Sequence, residues 1–129
     1  MPVVRVSCLP KVSQDELREY HQGIVAAIAD ISEIGVETED DVVCLFPKDM
    51  MVYGLGSVIE IEVFSLFEKP ERTPEVRQRL AEALCQVTRE HFPDTNVIGC
   101  TVTPLNPEQG FAVSKRGPDM TVGTGTTHA

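Results

Sequence analysis

The residue with the most distinctive chemistry in this sequence is Pro2. Removal of Met1, favoured before so small a second residue, leaves a proline whose nitrogen is a free secondary amine, a basic group that no internal proline has. Free α-amino groups titrate near 7.7–8.0, and an apolar or cationic setting disfavours the charged form and lowers that value. Such an amine serves as a general base at neutral pH. A second candidate lies in the stretch EKPER, where Lys69 and Arg72 separate an apolar segment ending near Phe67 from a helix start at Thr73. Two cations and a helix N-terminus together can hold an anion, and a carboxylate fits that description. Guanidinium grips a carboxylate with two parallel bonds, which favours Arg72 over Lys69. The competing reading is that Glu68 and Glu71 neutralise both cations on a solvated loop.

The rest of the polar inventory is thin. His21 and His91 fall on helical stretches and His128 near the end of the chain, so no nucleophile–histidine pair supports acyl transfer. Neither a P-loop nor a dinucleotide fingerprint follows any strand, and no cofactor is expected. Cys8, Cys44, Cys85 and Cys100 lie far apart without the paired spacing of a zinc site, which predicts reduced thiols acting as small core residues in a reducing cytosol. The acids Glu37, Glu39, Asp40 and Asp41 read first as a solvated charge run.

These residues must be positioned by a chain of 129 residues, one domain's worth. At that length roughly two thirds of the unfolded surface can be buried, so a core is available without disulfides or a structural metal. Eleven Lys and Arg against twenty Asp and Glu give a formal net charge of −9, which repels a phosphate backbone and argues against nucleic acid as a partner. No window holds the roughly 18 apolar residues of a membrane span, and the first thirty positions read as strand then helix instead of a signal peptide. A cytoplasmic protein without a membrane partner is the expectation.

Pro2 to Leu9 is rich in β-branched residues and predicts a strand, broken by Pro10 to Val12. Ser13 and Glu16 form a capping box, and Leu17, Tyr20, Ile24, Ile28 and Ile31 recur at steps of three and four along one helical face. Gly35 ends that unit, and Val42 to Phe46 predicts a second strand. Val58 to Phe67 alternates Ile59, Ile61 and Val63 against Glu60 and Glu62, the clearest strand in the chain. Thr73, Pro74 and Glu75 start a second helix with Val76, Leu80, Leu84, Val87 and His91 on its buried side, Pro93 stops it, and Asn96 to Thr103 supplies another strand. Val3 and Val58 are 55 residues apart, and so are Val42 and Val97, while the caps Ser13 and Thr73 are 60 apart. The organisation is therefore two consecutive βαβ units, about residues 2–46 and 58–103, in one domain spanning 1–116. The fold class is α+β: a four-stranded sheet with two helices packed on one face, parallel pairing inside each unit, and a short C-terminal strand in Gly110 to Lys115. Residues 117–129 are nearly all Gly, Thr and polar, which predicts a flexible tail.

The Met-Pro start running straight into a strand, the doubled βαβ pattern and the Tyr53-Gly54-Leu55-Gly56 turn together resemble the tautomerase superfamily, over about residues 2 to 116. That group includes 4-oxalocrotonate tautomerase, macrophage migration inhibitory factor, malonate semialdehyde decarboxylase and the chloroacrylic acid dehalogenases. The overall likeness extends to an uncharacterised tautomerase-like family, for which no reaction is implied. The resemblance implies that Pro2 is the catalytic amino-terminal proline and that the chain forms a homotrimer with active sites close to subunit interfaces. Lys69 and Arg72 look like the paired basic residues at this junction in the dehalogenase and decarboxylase branches. Asp40 follows Gly35-Val36 at a spacing similar to that of the decarboxylase acid that assists proton transfer or activates water, and Tyr53 would line the pocket as an apolar wall. The sequence departs from the family in places. Lys11 and Val42-Val43 stand near positions where the tautomerase branch has arginines, and Ser32 to Ile34 replace the lysine that follows the first helix of the cytokine-like branch. Near Cys100 to Thr103 no tyrosine supports a substrate. A hexadienedioate-type tautomerase is thereby disfavoured.

The leading expectation is a cofactor-independent enzyme acting on a small 2-oxo or enol carboxylic acid, most simply by keto–enol tautomerisation, with Pro2 moving the proton and Lys69 or Arg72 holding the carboxylate. A Pro2 that stays protonated would instead favour decarboxylation, or hydration of the dehalogenase type, with Asp40 assisting. An expectation of a different class is a non-catalytic oligomeric binding module, since fold does not fix function.

Overall fold

The computed structural model describes residues 1–50, 57–116 and 122–123. The elements run β1 (Val3–Ser7), α1 (Gln14–Ala29), β2 (Val43–Leu45), β3 (Val58–Phe67), α2 (Pro74–His91), β4 (Val97–Leu105), β5 (Val113–Ser114) and β6 (Val122–Gly123), with 3₁₀ turns at Ser32–Ile34 and Glu39–Asp41. Each helix starts where its capping signal stands. At α1, Ser13 Oγ accepts from the Glu16 N–H at 3.1 Å while Glu16 Oε1 accepts from the Ser13 N–H at 3.4 Å, a reciprocal capping box. At α2, Thr73 Oγ1 accepts from the Val76 N–H at 3.3 Å and Pro74 occupies the first helical position. The first helix ends earlier than Gly35, because a 3₁₀ turn intervenes; Gly35 then closes that turn at φ +80°, a conformation that disfavours a side chain.

Four strands form the main sheet in the order β2-β1-β3-β4. β1 and β2 are parallel, β3 and β4 are parallel, and the two units meet through an antiparallel β1–β3 pair in which Val3 lies opposite Phe64 and Ser7 opposite Glu60. Two βαβ units are thus joined edge to edge, as the doubled pattern predicts. Both helices cover one face. Val4, Val6, Ile59, Ile61 and Val63 point from the sheet into Tyr20, Ile24, Ile28, Val76, Leu80 and Leu84, and all are buried. Of the predicted helical faces, Leu17 and His91 are only partly covered, because they lie toward helix ends.

The helices approach closely at Gly23, where a Cβ would stand 2.9 Å from Val87 Cγ2. Nearby, the Tyr20 hydroxyl lies 2.7 Å from Thr88 Oγ1, which donates in turn to the Leu84 carbonyl at 2.7 Å. The Thr88 hydroxyl has one proton and gives it to Leu84, so Tyr20 is the donor of the first bond. Burial pushes the Tyr20 phenol further above its ordinary value, and this core hydroxyl stays neutral. All four cysteines are free thiols, and burial holds Cys44 at about 11 and Cys100 at about 12, which leaves them protonated at neutral pH.

One feature of β3 is absent from its hydropathy pattern. Between Val63 and Leu66 its register with β4 shifts by one residue, Val63 pairing with Val102 but Leu66 with Pro104. Ser65 absorbs the bulge at φ 57°, and the buried set changes phase from Ile59, Ile61 and Val63 to Leu66. The C-terminal strand predicted in Gly110 to Lys115 is present as β5, paired antiparallel with β6 in a two-stranded ribbon separate from the main sheet. Phe111, just ahead of it, packs edge-on against Phe67 with ring centroids 4.9 Å apart. The Tyr53 to Gly56 turn lies outside the described residues. So does the predicted tail, apart from Val122–Gly123. Among the described residues no helix is long and apolar enough to cross a membrane.

Candidate active site

The amino terminus enters the sheet at its middle. Pro2 is buried, and its carbonyl accepts from the Val43 N–H at 3.0 Å, extending the β1–β2 ladder by one rung. On the other side, β1 begins opposite Phe64, so the bulged end of β3 runs past the amino terminus toward the loop that carries Lys69 and Arg72. The bulge therefore re-aims the part of β3 that borders Pro2, a placement common beside functional sites.

The terminal amine in this structure belongs to Met1, one residue ahead of the proline nitrogen. Its surroundings hold it below the ordinary value of 8.0: burial is the main cause, followed by the positive charges of Arg72 and then Lys69, with Asp41 opposing them. The structure thus gathers Pro2, Lys69 and Arg72 at one end of the sheet. α2 follows immediately after Arg72 and adds the positive end of its dipole to that region.

The two cations differ in their freedom. Lys69 is exposed, and among the described residues its ammonium forms no ion pair. Arg72 is only 4% exposed. Its Nη2 donates to the Ile34 carbonyl at 2.6 Å, Nη1 to Phe67 at 2.9 Å and Nε to Glu33 at 3.3 Å. The guanidinium therefore ties the end of β3 and the start of α2 to the 3₁₀ turn after α1. A further link runs beside it, with Arg79 of α2 3.0 Å from the Glu33 carboxylate.

Asp40 is exposed on the second 3₁₀ turn, and its N–H donates to Thr38 Oγ1 at 3.3 Å. The acid that acts on the terminal amine is its neighbour Asp41, whose Oδ2 accepts from the backbone N–H groups of Glu37 at 2.9 Å and Thr38 at 3.2 Å. Reading the acids as a charge run passed over it. Thr38 and Asp41 stand at the spacing of a capping box, and that signal marks Asp41 as the ordered acid of the group. Tyr53 lies outside the described residues. Among the described residues no three His, Cys, Asp or Glu side chains converge as a metal site would require.

The sheet face turned away from the helices carries Val3, Arg5, Val43, Leu45, Glu62, Phe64 and Val97. Leu45 and Val97 are 43% and 53% exposed. Arg5 spans the β1–β3 pair to Glu62 at 3.1 Å and lies over the Phe64 ring, 5.1 Å from its centroid.

This architecture is shared with solved structures of low sequence identity. A fused 4-OT solved as an asymmetric trimer matches with a TM-score of 0.61 at 12% identity, over 93% of this chain and 94% of that one. A macrophage migration inhibitory factor-like protein of Entamoeba histolytica matches with a TM-score of 0.60 at 12% identity, over 94% of this chain and 97% of that one. A malonate semialdehyde decarboxylase inhibited by 3-bromopropiolate matches with a TM-score of 0.52 at 16% identity, over 88% and 91%. No protein-family model matches the sequence, and no curated protein matches it either. What the chain shares with these proteins is the fold.

Proposed function

We propose that the chain, processed to expose Pro2, is a cofactor-independent enzyme that uses the amino-terminal amine as a general base on a small 2-oxo or enol carboxylic acid, most simply in keto–enol tautomerisation. The observation that carries this reading is the setting of the amino terminus: the Met1 amine, one residue ahead of the proline nitrogen, is partly withdrawn from water with Arg72 and Lys69 acting on it, and removal of Met1 leaves the Pro2 amine next to that setting. Those features lower the amine's proton affinity, which places a base at neutral pH beside positive charge suited to a carboxylate. The base takes a proton from the enol hydroxyl or from the carbon next to the carbonyl, and the cations stabilise the oxyanion that develops. A solved neighbour, Pt0534 inactivated by 2-oxo-3-pentynoate, supports acid substrates of this kind.

A second reading has its own observation. Asp41 faces the amine and favours its charged form, and a proline kept protonated is an acid suited to decarboxylation or hydration of a three-carbon acid. Asp40 or Asp41 would then assist the proton transfer. Tyr53 remains the proposed apolar wall of the pocket.

The assembly we read is a homotrimer. Parallel strand pairs are ordinarily covered on both faces, whereas here the helices cover one and leave Val43, Leu45 and Val97 bare on the other. Fused 4-OT neighbours are trimers.

The test is made on untagged protein. Intact mass should lack Met1, and the wild type should turn over phenylpyruvate or a related enol while Pro2→Ala does not. Equal turnover by the two proteins would remove the proline mechanism. Ligand binding that survives a blocked amino terminus, with no turnover, would favour the binding-module reading.

A further inference from the structure

Arg72 is a buried cation without a buried acid. Charges taken out of water are ordinarily paired, because desolvation costs several kcal/mol per ion. Here the 4% exposed guanidinium is satisfied by three neutral carbonyls, those of Glu33, Ile34 and Phe67, and among the described residues it forms no salt bridge. The acid whose charge acts on it, Glu71, lies on the exposed loop. Hydrogen bonds to carbonyls hold the group without cancelling its charge, so its field reaches outward. It reaches the Met1 amine, one residue ahead of the Pro2 nitrogen, where Arg72 acts more strongly than exposed Lys69.

The same bonds bear on substrate. Fork-like recognition of a carboxylate needs two adjacent guanidinium N–H groups aimed at the ligand. Three of the five guanidinium N–H groups are committed to carbonyls, and with Arg72 only 4% exposed the other two have almost no surface from which to reach a ligand; turning the Nε–Nη2 edge outward would release the 3₁₀ turn. Lys69, three residues earlier on the loop closed by the Arg72 N–H donating to the Lys69 carbonyl at 2.9 Å, has an exposed ammonium.

We propose, building on the amino-terminal proline reading, that the two cations divide the work: Lys69 takes the substrate carboxylate, while Arg72 is a positioning residue whose clamped charge sets the proton affinity of Pro2 and never touches the substrate. The groups that face the amine are then Arg72 and Lys69 from the β3–α2 loop and Asp41 from the turn before β2.

The experiment compares wild type, Arg72→Gln, Arg72→Lys and Lys69→Gln, all untagged, with thermal melts to show which are folded. The Pro2 amine is titrated by NMR, binding of phenylpyruvate is measured by calorimetry, and rate is followed against pH. Arg72→Gln should raise the amine's pKa and move the rate profile alkaline by the same amount, with phenylpyruvate affinity within about twofold. Arg72→Lys keeps the charge and should titrate like the wild type. Lys69→Gln should weaken phenylpyruvate about tenfold, the scale of one charged hydrogen bond, with a smaller change in titration. An Arg72→Gln protein that binds tenfold more weakly while its amine titrates unchanged would overturn the proposal. Should that variant not fold, tenfold weaker binding by Arg72→Lys overturns it equally. Titration and binding need no turnover, so inactivity of every protein would count against the proline enzyme and not against this division of roles.

Discussion

The Pro2 carbonyl accepts the Val43 N–H at 3.0 Å, so the residue that would carry the base is a rung of the sheet and not a loose end. A strand pair fixes the direction in which the chain emerges, and with it the place of the terminal amine relative to Lys69 and Arg72. Precision of that kind is what a general base requires, since a misplacement of about 1 Å can cost a factor of 10².

A retained Met1, or one extra residue ahead of Pro2, should abolish catalysis without unfolding the protein. The nitrogen becomes an amide and loses its basicity, while the Pro2–Val43 bond survives. We expect a loss of at least about 10²-fold in kcat/KM at unchanged melting temperature. Activity in a protein whose intact mass includes Met1 would contradict the mechanism.

The pH profile follows from the sign of the amine's shift. Burial, Arg72 and Lys69 all lower the Met1 amine, against Asp41, and the Pro2 amine left by processing stands one residue from the same groups. A base works only when deprotonated, so kcat/KM should rise with pH through the amine's pKa, with a midpoint below that of a free prolyl amine, and level off above it. Asp41→Asn removes the opposing charge and should move that midpoint further down. An upward move on Asp41→Asn, read in the same rate profile, would show that this acid does not face the amine.

Gly23→Val tests the helix–helix seam. A Cβ there meets Val87 Cγ2 at 2.9 Å, and a β-branched valine on the partner helix has no alternative rotamer to retreat into. The expected cost is about 1–3 kcal/mol, the usual range for overpacking, measured by urea denaturation. A neutral result would mean that the helices separate without penalty.

Tyr20→Phe removes the donor of the buried Tyr20–Thr88 bond and leaves Thr88 donating to Leu84. The loss should be about 1 kcal/mol. A double-mutant cycle with Thr88→Val should show most of that energy as coupling between the two residues. Near-zero coupling would show that the hydroxyls do not depend on one another.

Much of the fold was written locally. Ser13 and Glu16, Thr73 and Pro74, and the alternation from Ile59 to Val63 each specify their element through neighbours a few residues away, and the structure has both helices starting at those caps. The bulge at Ser65 was not legible, because Phe64-Ser65-Leu66 continues an acceptable strand composition and only pairing with β4 reveals the extra residue. Asp41 was overlooked for a related reason: among four acids in five positions only its spacing from Thr38 sets it apart, and the 3₁₀ turn is what exposes Asp40 and brings Asp41 back onto the Glu37 and Thr38 amides.

The sequence by itself determined the doubled βαβ order and the faces of both helices, which rest on residue type and short-range period. The tertiary structure decided which charges do what. Whether Arg72 grips a ligand or the backbone depends on where Glu33 and Ile34 lie, and those residues stand 39 and 38 positions away in sequence. Burial and hydrogen-bond partners are properties of the packed chain, so a cation's identity is legible in a string of residues while its task is not.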